Sequence, residues 1–224
     1  MTEKPIIIFG TGQQADIISF YLKKLSKKVY AYCVDKKFYK KSTFRNKKVI
    51  TTNQLVQRYN PKNYKLHIAI SYKNLNKLRY EKYEYFKCKG FSFENIIYNS
   101  NINKADIRIG ENTVVLDSYI QPFTKIGNNS LIWSGSVVGH HSSIGNNCWI
   151  TSGTSLGGNS KIGDFSFIGI NSTIGHFVNI GKKCFIGSAS HITKNISSRS
   201  VVIQKDSNQI NFDPEKFLEI NNFK

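Results

Sequence analysis

The stretch IQPFTKIGNNSLIWSGSVVGHHSSIGNNCWI, residues 120–150, carries a branched aliphatic residue at every sixth position: Ile120, Ile126, Ile132, Val138, Ile144 and Ile150. The series runs on without a slip through Leu156, Ile162, Ile168, Ile174, Ile180 and Ile186 to Ile192. Nine of these thirteen residues are followed directly by glycine, and from Ile126 to Ile186 the fourth residue on is always Ser, Thr, Cys or Val. A helix repeats its apolar residues at about 3.6 and a flat strand at 2, so a strict six fits neither alone. Three short strands joined by tight turns do fit. The aliphatic residue points into a narrow prism, the small residue joins it, glycine supplies turn conformations closed to other residues, and three hexads make a coil of about 18 residues. Each coil then buries its neighbour's face. A buried aliphatic side chain contributes about 1.5–3 kcal/mol, so the ladder carries its own core. An earlier Ile109-Gly110 lies 17 residues before Ile126. That spacing predicts an irregular turn near Leu116–Tyr119.

Residues 1–100 read differently. Pro-Ile-Ile-Ile-Phe at 5–9 predicts a buried parallel strand, followed by the glycine turn Gly10-Thr11-Gly12-Gln13-Gln14-Ala15 and an amphipathic helix over about 15–25. A strand near Val29–Val34 ends in Asp35. Strand, glycine turn, helix, strand and terminal acid make a Rossmann-like mononucleotide half, whose glycines let the backbone approach a phosphate at a helix N-terminus. Further elements are expected near 66–71 (strand), 73–87 (helix) and 91–98 (last strand). This unit is too short for a full dinucleotide domain, which argues against NAD-dependent redox chemistry. His67 falls inside a strand and reads as structural. After about Ser197 the repeat ends, and Asp213-Pro214-Glu215 predicts a short helix to about Ile220. The expected organisation is 1–99 Rossmann-like, 100–197 prism and 198–224 extension.

Composition bounds the partners. No apolar run approaches the roughly 20 residues of a membrane span, and the N-terminal residues lack the apolar region of a signal peptide, so a cytoplasmic protein without membrane insertion is expected. The four cysteines form no C-x-x-C; Cys148 and Cys184 occupy the inward small-residue slot and read as reduced packing residues. The net charge of +18 is concentrated in residues 1–100, with 21 Lys/Arg against 6 Asp/Glu. A basic half attracts anions, whether nucleotides, CoA phosphates or nucleic acid, although a Lys-, Asn- and Ile-rich composition explains much of the charge by itself.

Residues 18 apart stack in a three-hexad coil, which allows columns to be read. One column holds His140, Gly158 and His176, each the second residue after an aliphatic, at turns where side chains point out of the prism. Imidazole accepts a proton at neutral pH, and a positioned base contributes about 10²–10⁴ in rate. An unobstructed Gly158 N–H suits a developing oxyanion. His191 reads as a surface residue.

The segment Val138-Gly-His-His-Ser-Ser-Ile-Gly145, placed after a small α/β unit, resembles the hexapeptide-repeat nucleotide-sugar acyltransferases of the sialic acid O-acetyltransferase and bacillosamine N-acetyltransferase type. The likeness covers about residues 4–196. It implies a left-handed β-helix, a homotrimer with active sites between subunits, a nucleotide-sugar on the Rossmann-like domain, acetyl-CoA or another short acyl-CoA as co-substrate without a metal, and a place in bacterial surface glycan (lipopolysaccharide) biosynthesis. By motif, His140 falls on the general base and Gly158 on the glycine whose amide meets the acetyl carbonyl. Gly10, Thr11, Gly12, Gln13, Asp35 and Ser71 fall on the nucleotide-sugar site. Trp149, Ile170 and Ser188, with Gly158 and His176, fall on the acyl-CoA site. Two positions depart from the pattern. His141 stands where the base is usually followed by an acid, and Trp149 where a histidine is common. The implied reaction is N-acylation of an amino sugar, with O-acylation of a hydroxyl as the alternative.

Two readings from other classes compete. The γ-type carbonic anhydrases set zinc histidines 36 residues apart with a third about five later; His140 and His176 meet the first spacing, but position 181 is glycine and a catalytic zinc needs three protein ligands. A trimeric nucleic-acid module would use the basic half, yet no RNA or DNA motif appears and the aromatics do not interleave with the charges.

Overall fold

The computed structural model describes residues 4–102, 106–208, 211 and 213–220. The buried run Ile6–Phe9 forms β1, the centre of a six-stranded sheet of order β3-β4-β2-β1-β5-β6. Here β2 is Val29–Val34, β3 Thr43–Phe44, β4 Lys47–Thr51, β5 Lys65–Ile68 and β6 Ser92–Phe93. All pairings are parallel except the β3–β4 hairpin. Helices α1 (Gln13–Lys24), α2 (Thr52–Arg58) and α3 (Lys77–Cys88) cover it. The hairpin and α2 have no counterpart in the sequence reading. The hairpin turns through Arg45 and Asn46, both left-handed, and α2 opens on a Thr51/Gln54 capping box.

The single strand expected over 91–98 divides in two. β6 edges the first sheet, whereas β7 (Ile96–Tyr98) pairs with Val114–Leu116 in the prism. Asn95 explains the break: its side chain donates to Gly110 O (2.8 Å) and accepts from Thr113 N (3.0 Å), pinning the chain to the first coil. Beside it Glu94 is buried. Burial raises its carboxyl, but Lys27 and Lys65 outweigh that and hold it below its ordinary value.

The prism is a left-handed parallel β-helix of two-residue strands, three residues long at Val114–Leu116. Ile120, Val138, Leu156, Ile174 and Ile192 line its first face, Ile109, Ile126, Ile144, Ile162 and Ile180 its second, and Val115, Ile132, Ile150, Ile168 and Ile186 its third. All thirteen ladder residues are buried. Register is 18 residues per coil from Ile120 to Ile192; it is 17 where Ile126 pairs with Ile109 and Ile132 with Val115, because the turn between Val115 and Ile120 is one residue short, and 16 where Ile186 pairs with Val202 at the end of the prism. Cys148 and Cys184 are free and buried; burial pushes the Cys148 thiol up to about 12. Val201–Val202 adds a last strand to the third face beside Phe185–Ile186, and Pro214–Ile220 forms a short helix (α4) opened by Asp213 Oδ1.

The glycines after the ladder residues do not serve the purpose expected of them. None has a positive φ; the left-handed corner residue is two positions later, at Asn129, His141, Asn147, Asn159, Phe165, Asn171, Phe177, Lys183 and Ala189. Glycine is needed because successive corners stack backbone on backbone. A Cβ on Gly163 would lie 2.6 Å from Gly181 C, and one on Gly157 2.6 Å from His176 N. Gly175 is an exception, with nothing nearer than 3.4 Å.

The third face is covered by the N-terminal sheet and its helices. Its outward residues Leu131, Trp149, Phe167 and Phe185 pack with Ile6, Ile8, Ile18 and Leu22. Arg79 of α3 is fully buried in this junction. It donates from Nε and Nη2 to Asn129 O (3.2 and 3.0 Å), from Nη2 to Cys148 O and from Nη1 to Asn76 Oδ1, with Trp149 under its guanidinium plane. Burial with carbonyl partners alone lowers its pKa to about 9. Buried Asn112, Asn129 and Asn147 bond in series, and Asn112 Oδ1 accepts from Ile68 N of β5 (2.8 Å).

Two predictions follow from these contacts. Gly163→Ala should destabilise the protein by about 2–3 kcal/mol through the coil clash, and Gly175→Ala by less than about 1 kcal/mol, as read by denaturant unfolding. His67 is buried with Nδ1 on Glu94 O, and burial lowers its pKa to about 4. The unfolded imidazole titrates near 6.5, so stability from this group is complete above that pH and is lost as pH falls toward 4. Going from pH 7.5 to 5 should cost about 2 kcal/mol through His67, a difference that His67→Gln should remove.

Candidate active site

His140 and His141 sit on the corner between the first and second faces, after the strand Val137–Val138. The backbone there is held on both sides. His140 N donates to Gln121 Oε1 (2.8 Å), His140 O accepts from Asn159 N (2.8 Å), and His141 N donates to Pro122 O (3.1 Å). His141 takes the left-handed corner position (φ 56°) and its ring rests on Phe123, centroids 4.7 Å apart. The two imidazoles meet at Nδ1, 3.1 Å apart, with their planes nearly perpendicular.

Gly158 is buried one coil on, and its missing side chain makes the arrangement possible. A Cβ there would lie 2.8 Å from both Nε2 and Cε1 of His140. The far edge of the His140 ring therefore lies over the Gly158 backbone. On the other side Gly158 N donates to His176 Nδ1 (3.0 Å), so the amide expected to meet an oxyanion is held by the third member of the column. His176 is exposed, as is Phe177 beside it, at 71%. His191 is exposed on the first face, consistent with a surface residue.

The residues expected on a nucleotide-sugar come together at the C-terminal ends of β2, β1 and β5, the edge where α/β sheets bind ligands. Gly10 has φ 126° and stands where a Cβ would be 2.8 Å from Ala69 O, so the turn there requires glycine. Gly12 caps α1 without a side-chain hydrogen bond, leaving first-turn amides for an anion. Asp35 Oδ1 already accepts from Thr52 Oγ1 (2.9 Å) and Lys82 Nζ (2.7 Å). Ser71 is exposed at the end of β5 and starts a loop in which Asn74, Leu75 and Asn76 are all left-handed. A cleft of about 260 Å³ beside Thr11 is lined by Phe38, Lys40, Lys41 and Phe44. None of these four is among the residues expected from the sequence; the run Lys36-Lys-Phe-Tyr-Lys-Lys41 just after Asp35 is the signal that marks the first three. A larger cleft, behind α1 and lined by Lys23, Lys28 and Lys47, holds none of the expected site residues.

The expected acyl-CoA residues separate onto three sides of one chain. Gly158 and His176 share the His140 corner. Ile170 and Ser188 stack, exposed, on the corner between the third and first faces. Trp149 is elsewhere: it is 4% exposed and packs under the N-terminal unit against Tyr72, Trp133 and Arg79. Its strand position faces outward from the third face, and that face is covered.

Comparison with known proteins agrees with this architecture. Residues 106–140 and 159–194 match the family model described as bacterial transferase hexapeptide (six repeats). A comparison with curated protein sequences found no match. Among solved structures, a histidine-to-asparagine mutant of perosamine N-acetyltransferase from Caulobacter crescentus, in complex with CoA and GDP-perosamine, superposes with TM-score 0.80 at 20% identity, over 89% of this chain and 93% of that one. The acetyltransferase domain of PglB from Neisseria gonorrhoeae FA1090 gives 0.76 at 17% identity over 89% and 96%. WeeI from Acinetobacter baumannii AYE gives 0.74 at 18% over 90% and 97%. The chain thus carries the bacterial transferase hexapeptide repeat on the same two-part fold, a small α/β unit followed by a left-handed β-helix, as these structures.

Proposed function

We propose that the protein is an acyl-CoA-dependent acyltransferase that uses acetyl-CoA to N-acetylate a nucleotide-linked amino sugar, with His140 as general base. The observation that carries this reading is the His140 ring edge lying over a glycine backbone in an exposed corner column. The fold-mate from Caulobacter crescentus, in complex with CoA and GDP-perosamine, supports both substrate classes. The sugar's amine attacks the thioester carbonyl, and His140 Nε2 takes the proton released as the C–N bond forms. The carbonyl oxygen becomes an oxyanion, which replaces His176 Nδ1 as acceptor of the Gly158 N–H. Collapse breaks the C–S bond, and the proton on His140 passes to the departing CoA thiolate. An amine fits better than a hydroxyl because the hydrogen-bond partner of His140 is a second imidazole, which lends the base less negative charge than a carboxylate. O-acylation of a sugar hydroxyl is the second reading.

The site is shared between copies of the chain. The nucleotide edge belongs to the unit covering the third face, while His140 lies on the corner opposite that face. A homotrimer brings one copy's His140 corner to a neighbour's nucleotide edge, with Ile170 and Ser188 of the adjoining prism corner along the CoA chain. Gly10, Thr11, Gly12 and Gln13 hold the diphosphate at the start of α1, Asp35 the base or ribose, and Ser71 the sugar. No helix among the described residues is long and apolar enough to cross a membrane. That fits work on a nucleotide-sugar in the cytoplasm, upstream of surface glycan assembly.

His140→Ala should lower kcat at least about a hundredfold while the melting temperature and oligomeric state stay unchanged. A near-wild-type rate from this variant would remove His140 from the mechanism. Subunit sharing has its own test. His140→Ala and Asp35→Ala proteins, each inactive, should regain about a quarter of wild-type activity per site when unfolded together and reassembled, since each mixed site can draw both intact halves from different chains. No recovery would place the whole site in one chain.

A further inference from the structure

The position that follows the base is the point at which this chain leaves the pattern it resembles, and the corner geometry gives that position a task. His141 Nδ1 lies 3.1 Å from His140 Nδ1, while the opposite edge of the His140 ring, carrying Nε2, lies over Gly158. With both rings neutral, a hydrogen bond along the Nδ1–Nδ1 line uses one proton. If it resides on His140, Nε2 of a neutral ring is bare and faces the glycine column; if it resides on His141, Nε2 of His140 carries the proton and cannot act as a base. We infer that His141 is the positioning residue of His140: its bare Nδ1 accepts the His140 Nδ1–H and fixes the base in the tautomer whose Nε2 is free over Gly158.

The scaffold around His141 suits this task. Its left-handed backbone, its N–H on Pro122 O and its ring against Phe123 together fix where its Nδ1 points. Without this acceptor a neutral imidazole favours the proton on Nε2, the form that disables His140. A single hydrogen bond of this kind shifts such an equilibrium by about tenfold. The inference rests on the acyltransferase reading for its kinetic consequence; the tautomer itself does not depend on that reading.

The same corner position elsewhere in the prism supplies substitutions that the fold already accepts. Asn129, Asn147, Asn159 and Asn171 hold it with φ of 55–59°, and Phe123, Phe165 and Phe177 with φ of 60–64°. His141→Asn keeps an acceptor oxygen near the place of Nδ1. His141→Phe keeps the ring against Phe123 and removes the acceptor. Nitrogen and carbon chemical shifts of labelled histidine in the full-length protein report the tautomer directly, with His140→Ala used to assign the signal. The expected result is Nδ1–H for His140 in the wild type and in His141→Asn, and a shift to Nε2–H in His141→Phe, with all three melting alike. Turnover of acetyl-CoA with GDP-perosamine should fall by about tenfold in kcat, with little change in KM, for His141→Phe, and stay within about threefold for His141→Asn. An Nε2–H wild-type His140, or a tautomer unmoved by His141→Phe, overturns the inference. A wild type that turns over no acetyl-CoA with GDP-perosamine or with any other nucleotide-linked amino sugar counts against the acyltransferase reading alone, because the tautomer measurement still decides the pairing.

Discussion

Everything in the C-terminal half depends on one spacing: successive coils stack in a parallel ladder, 18 residues apart, with strands only two residues long. With so little strand, most of each coil is corner, and the corners must stack as closely as the strands do. The residue after the inward aliphatic then has no room for a Cβ, since the next coil's backbone lies within 2.6 Å of where it would be at Gly127 or Gly163. The same closeness that requires glycine for packing creates the candidate site. At Gly158 the space a Cβ would fill is taken by the His140 ring, and the amide is presented to the column on the other side.

The two units are joined by polar as well as apolar contacts. An aromatic stripe on the third face buries area against α1 and β1, but stripes of this kind slide. The Arg79 fork on Asn129 O and Cys148 O, and the series of buried asparagines ending on Ile68 N, leave Asn76 Nδ2 as the one buried side-chain nitrogen or oxygen without a partner among the described residues. Buried donors without acceptors are costly, so these contacts select a single seating of the sheet on the prism. That seating puts the C-terminal edge of the sheet and the His140 corner on opposite sides of one chain, the arrangement that the proposed trimer would use.

Much of this was legible in the residues. The ladder, the 17-residue slip near Val115, the glycine turn at Gly10 and the stacking of His140, Gly158 and His176 are all matters of period, and period survives in a sequence because the coil repeats it. The reason for the glycines was not legible, since φ and close approach leave the same residue behind. Trp149 lies apart from the other expected acyl-CoA residues for a related reason. Its outward strand position is evident from the repeat, but whether outward means solvent or a neighbouring unit depends on which face the N-terminal half covers. The hairpin at 43–51 and α2 are not legible in the sequence because a two-residue turn without glycine and a seven-residue helix carry little periodic signal.

The sequence by itself determined the architecture of the prism, the α/β character of the first hundred residues and the candidate base, because each rests on local pattern and on the reach of a side chain to its neighbour one coil away. Only the tertiary structure decided that His140 pairs with His141 rather than with an acid, that Gly158 N–H is held by His176, that Asp35 is tied to Lys82 and Thr52, and that Trp149 is interior. Those are contacts set by how corners and units pack in three dimensions, where residues far apart in the chain, or adjacent but free to rotate, acquire their partners.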